Sequence, residues 1–130
     1  MTTRVGNVPV SSTQKPRAYV GPLLILVCAL HVAVGVVDAA AMLNEAAQEG
    51  WAGAFTGERA VVMWFLMTGV VGLVAGVAVT VLERSGRTPW TVSLMLLLAA
   101  GVGVSMAPTS GFVLVLAVAI LAILRSAHTA

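Results

Sequence analysis

From Thr88 to Leu124 the chain carries no aspartate, glutamate, lysine or arginine. As one helix this run would extend roughly 55 Å, nearly twice the ~30 Å hydrocarbon thickness of a bilayer. It must therefore fold back. The reversal is expected at Ala107-Pro108-Thr109-Ser110-Gly111, where proline removes a backbone donor and glycine accepts a turn conformation. The two halves form a tight hairpin of short spans, each roughly 25 Å long, which stand nearly upright or thin the bilayer locally.

Two further uncharged runs precede the hairpin: Ala18 to Val37, continuing to about Met42, and Ala60 to Leu82 between Arg59 and Glu83-Arg84. The spans are thus predicted at 18–42, 60–82, 90–107 and 108–124, within a membrane domain over 18–126. Only 9% of the chain is charged and 59% is hydrophobic, against about 25% charged residues in a soluble domain. The runs show no alternation of polar and apolar residues, which excludes a β-barrel. The expected fold is an all-α integral membrane bundle of four transmembrane helices.

Residues 1–17 contain Ser, Thr, Pro, Gln, Arg4, Lys15 and Arg17 without apolar periodicity, and read as a flexible cytoplasmic tail. A signal peptide is the competing reading, with Ala39-Ala40-Ala41 as the small-residue region, but His31 and Asp38 interrupt its apolar stretch. Arg4, Lys15, Arg17, Arg84, Arg87 and Arg125 all fall on one side of the four spans. The excess of cations assigns that side, with both termini and a tail over 127–130, to the cytoplasm. Tyr19 and Trp90 then lie at the inner interface, Trp51 and Phe55 near the outer one. Good helix formers from Asp38 to Glu49 carry span one beyond the lipid until Gly50.

Several functions are excluded. Seven basic residues spread over 130 positions, with a net charge of +2, make no nucleic-acid-binding stripe. The single cysteine, Cys28, supplies neither a disulfide, a redox pair nor a cysteine-rich metal site. With His31 it provides too few ligands for tetrahedral zinc, and Met63, Met67, Met95 and Met106 read as packing groups. Gly101-Val102-Gly103 lies inside an apolar span without a following Lys-Ser or Lys-Thr, so no nucleotide cofactor is implied. Ser93, Ser105 and Ser110 have no second histidine within the spans, His128 lying on the terminal tail. Asp38 and Glu45 are two helical turns apart, too far for an acid–base pair. An enzymatic role is not favoured, and no cofactor or metal is expected.

His31 and Gly35 in the first span, Trp64-Phe65 and Gly69 in the second, Pro89 before the third, and Pro108-x-Ser110-Gly111-Phe112 leading into the fourth resemble a family of small bacterial four-span membrane proteins known only as a domain of unknown function. The resemblance covers about residues 20–125. It implies a four-helix topology in the bacterial cytoplasmic membrane and brings no activity or catalytic residue with it.

Along span one, Leu24, Cys28, His31, Gly35, Asp38, Met42 and Glu45 share a stripe, because positions seven apart are displaced by only about 20°. Ionisable groups facing lipid are costly, about 2.5 to 3.5 kcal/mol for Asp at midspan, so this stripe is expected to face the bundle interior. The functional expectation is an outward-opening, partly hydrated pocket with Asp38 at its mouth, His31 at its floor and Cys28 and Gly35 on the same face. Trp64 and Phe65 would shape its apolar walls. The bland alternative has His31 bonded to a neighbouring backbone carbonyl or hydroxyl, and Asp38 paired with Arg59.

Gly69, Gly72 and Gly76 in span two, and Ala100, Gly103 and Ala107 in span three, form small-residue faces for close helix approach. Gly72-x-x-x-Gly76 serves either dimerisation or packing within the chain, the latter being favoured. The leading expectation is a protein of the lipid bilayer that binds or transports a small amphipathic molecule or ion. The alternative is a scaffold or accessory subunit, docked on a second copy or on another membrane protein. A proton-transfer enzyme using His31 is a third class, without a second catalytic group at the right spacing.

Overall fold

The computed structural model describes residues 18–86, 90–106 and 111–129. The predicted tail over 1–17, Arg87, Pro89 and most of the predicted Ala107–Gly111 reversal lie outside them. Among the described residues there are five α-helices and no strand: α1 Val20–Asp38, α2 Ala40–Gln48, α3 Glu58–Arg84, α4 Trp90–Met106 and α5 Phe112–Thr129.

The helix boundaries follow local chemistry. Between α1 and α2 only Ala39 departs from helical geometry (φ −96°, ψ 9°), and its N–H still bonds to the Gly35 carbonyl at 3.0 Å. The next stop is Gly50, at φ 80°, a left-handed conformation that glycine adopts without a Cβ clash. α3 opens with Glu58 in its first turn and closes with Arg84 in its last, each opposing the helix dipole.

α1 and α3 form the most extensive seam, through mutually offset small residues. The Gly72 position faces the Cys28 sulfur, and Gly21 faces the backbone and hydroxyl of Thr80. A Cβ at Gly76 would lie 2.7 Å from Ile25 Cγ1, and one at Gly35 would lie 2.7 Å from the Phe65 ring. Gly72-x-x-x-Gly76 is thus occupied from within the chain, backbone against backbone. α4 and α5 pair in the same manner: Ala100 is buried, and Gly103 receives the Phe112 ring.

The remaining large seam joins α1 to α5, so extensive packing runs in the order α3–α1–α5–α4 as an open arc. The core lies among Val20, Leu24, Cys28, Val79, Val118 and Ala122, where α1, α3 and α5 meet.

Two helices, α1 and α3, are long and apolar enough to cross a membrane, yet only 28% and 22% of their most apolar stretches is buried. α4 and α5 are shorter apolar helices. The uncovered faces carry large side chains, among them Val61, Trp64, Val71, Val74 and Val81 on α3 and Met95 and Leu98 on α4.

Candidate functional site

The candidate site begins with Gly69. A residue without a side chain here leaves the neighbouring α3 backbone open, and the edge of the His31 ring enters: a Cβ at Gly69 would stand 2.9 Å from His31 Cδ2. The ring lies against the Phe65 side chain, with centroids 3.9 Å apart and planes inclined by 26°. Its Nε2 is 3.0 Å from the Phe65 carbonyl oxygen. A carbonyl oxygen only accepts, so Nε2 carries the proton and donates. Nδ1 points the other way, toward Gly111, where a Cβ would lie 3.9 Å from it.

Beside His31 is a cavity of about 240 Å³ between α1, α3 and the start of α5. Leu30 and Val34 line it from α1, Phe65 and Thr68 from α3, Phe112 and Val115 from α5, and Cys28 and Gly69 complete the wall near His31. The Thr68 hydroxyl is turned back onto the Trp64 carbonyl at 2.8 Å. The wall therefore offers a mainly apolar surface with the imidazole as its strongest polar group. Among the described residues no group of three or more His, Cys, Asp or Glu side chains is placed to hold a metal ion.

His31, Cys28 and Phe65 come together at this cavity, while Asp38, Gly35 and Trp64 do not line it. Gly35 is buried under Phe65 and Leu66 as a packing position, and Trp64 is 67% exposed. Asp38 is the last residue of α1 and is exposed. It is followed directly by Ala39, where the helical geometry breaks.

The expected Asp38–Arg59 pair is also corrected: Arg59 instead holds Glu49 at 2.6 Å and Glu45 at 3.1 Å. Those two carboxylates are four residues apart, Glu45 in the last turn of α2 and Glu49 just after it, and converge on one guanidinium. The hydrogen bond and charge of Arg59 hold the Glu49 carboxyl below its ordinary value. Trp51 and Phe55, next along the chain, stack at 5.2 Å.

Sequence reasoning passed over a second polar centre, at the opposite end of the helices. Glu83 is 1% exposed. Its carboxylate accepts from the backbone N–H of Tyr19 (3.3 Å), Val20 (3.2 Å) and Gly21 (2.9 Å), and is bonded to the Arg125 guanidinium of α5. It caps the first turn of α1 from another helix, where unpaired N–H groups and the helix dipole favour an anion. Arg125 also sits 5.6 Å from the Tyr19 ring centroid. One residue on, the Ser126 hydroxyl meets that of Ser93 in α4 at 2.9 Å. At this level α1, α3, α5 and α4 are joined by successive polar contacts.

Fold and site together define the class: an all-helical chain with two helices of membrane-crossing length and apolar character, and a small apolar cavity with a histidine in its wall. Residues 15–129 match the model of a family of unknown function, DUF6463, and the chain belongs to that family. No curated protein and no solved structure matches it.

Proposed function

We propose that the chain is a four-span protein of the bacterial cytoplasmic membrane, with both termini cytoplasmic, that binds or transports a small amphipathic molecule in the cavity beside His31. Support for the membrane reading comes from α1 and α3, which keep most of their apolar residues exposed within the folded chain. A contiguous apolar surface of that kind is covered by lipid or protein. The uncharged run from Trp90 in α4 to Leu124 in α5 supplies the other two spans, and the distribution of cations orients them.

The observation that carries the binding reading is the cavity itself, about 240 Å³ and mainly apolar, with His31 held in its wall by the Phe65 carbonyl. Pockets that take small molecules combine an apolar lining with few convergent polar groups. The absence of Asp38 from the lining removes the carboxylate on which an ion pathway was expected to rest, and favours a neutral or weakly polar occupant.

Native mass spectrometry of the full chain released from mild detergent tests the proposal. Wild-type protein is expected to retain a bound small molecule. Val34→Trp, which places an indole into the cavity from a half-exposed position, is expected to lose it while keeping its helical content. Retention of the same mass by both proteins, or by neither, overturns the assignment. A stoichiometric protein partner with no small molecule bound would instead select the scaffold reading.

A further inference from the structure

We infer that the cavity at His31 selects an uncharged molecule bearing a hydroxyl group, an alcohol or a phenol on a small apolar body, whose O–H donates to His31 Nδ1. The inference rests on the binding reading above and gives its chemistry. Because Nε2 must donate to the Phe65 carbonyl, a neutral imidazole has its proton committed on that side, and the nitrogen on the cavity side is an acceptor. The protein sets this polarity before any ligand arrives. The ring is fixed by the Phe65 stack and by the gap at Gly69.

The rest of the wall narrows the class further. Among the described residues lining the cavity none is Asp, Glu, Lys or Arg, so a charged occupant would lose its hydration without a counter-ion, a large penalty in apolar surroundings. The Thr68 hydroxyl already donates within α3. An ether, ester or ketone would place its oxygen lone pairs against the Nδ1 lone pair, leaving two acceptors unpaired. A hydroxyl satisfies the site with one bond. The volume of about 240 Å³ is below the ~300–1,000 Å³ of pockets for drug-sized molecules, which fits a short alkyl or single-ring body.

The test compares 4-propylphenol with its methyl ether, which has a closely similar body and no donor, on the full chain in lipid nanodiscs with ring-15N-labelled histidine. The chain has two histidines, His31 and His128, and His31→Phe assigns the resonances. Without ligand, the His31 spectrum should show the proton on Nε2. The phenol should shift Nδ1 saturably and bind about tenfold more tightly than the ether, as expected for one net hydrogen bond. Nuclear Overhauser contacts to the Val115 methyls report occupancy by either compound without reference to His31. In His31→Phe both compounds should bind alike.

Equal affinities with Val115 contacts and an unmoved Nδ1, or a proton found on Nδ1 in the free protein, would overturn the donor assignment while the cavity remained a binding site. Contact of neither compound with Val115 would overturn the inference together with the binding reading. The wild-type comparison stands even if His31→Phe does not fold.

Discussion

A glycine and a histidine on facing helices determine each other's position here. Gly69 has no side chain to cover the Phe65 carbonyl, and His31 uses the opening. In Gly69→Ala the added methyl would stand 2.5 Å from Val32 Cγ2 and 2.9 Å from His31 Cδ2. Overpacking of this kind costs about 1–3 kcal/mol, and the displaced ring should lose its bond to Phe65. Denaturation in detergent measures the first effect, and the 15N resonance of His31 Nε2 the second. Just past the end of α2, Glu49 gives a prediction with a defined sign. Its folded-state pKa lies below the ordinary 4.5 because Arg59 stabilises the carboxylate. The pair's small contribution is therefore present above pH 4.5 and disappears as pH falls through the lowered value. In Arg59→Gln the Glu49 carboxyl 13C titration should move back toward 4.5, with little change in melting temperature, as befits an exposed, salt-screened pair.

Among the elements, the first turn of α1 depends on a side chain from elsewhere. It has no capping side chain of its own, and Glu83 of α3 accepts three of its N–H groups while bonded to Arg125 of α5. Glu83→Ala would leave those donors without their acceptor and remove the carboxylate bonded to the Arg125 guanidinium. The expected loss is about 3–5 kcal/mol, the range for removing one member of a buried ion pair, to be measured by unfolding in detergent followed by circular dichroism. Glu83 was legible in the sequence: it lies seven residues beyond Gly76 and fourteen beyond Gly69, on the face those glycines mark for close packing. Ser93 stands in the same relation to Ala100. Reading Glu83 only as the charge that ends a span, and Ser93 only as a nucleophile, concealed both. Asp38 illustrates the reverse error. The periodic rule put His31, Cys28 and Asp38 on one stripe; His31 and Cys28 line the cavity, whereas Asp38 is exposed at the last position of α1, where Ala39 breaks the helical geometry.

For the whole molecule, the lengths of the uncharged runs made the helices accessible from sequence, and the glycines of span two marked a face for close packing without naming the helix that meets it. The order α3–α1–α5–α4 was not accessible. All four long helices are apolar on every side, so hydrophobic periodicity cannot separate a face against lipid from one against protein; small residues alone mark the seams. The proposed topology predicts that a reporter fused after Ala130 is active in the cytoplasm and that a cysteine replacing Trp51 reacts with an impermeant reagent from outside. Cys28 is buried and should stay silent, so the new thiol reads without background; labelling of Trp51→Cys only from within would reverse the orientation. The contacts of Glu83 tie α1, α3 and α5 at one level, so loss of this one carboxylate would be felt by three helices together and not by α3 alone.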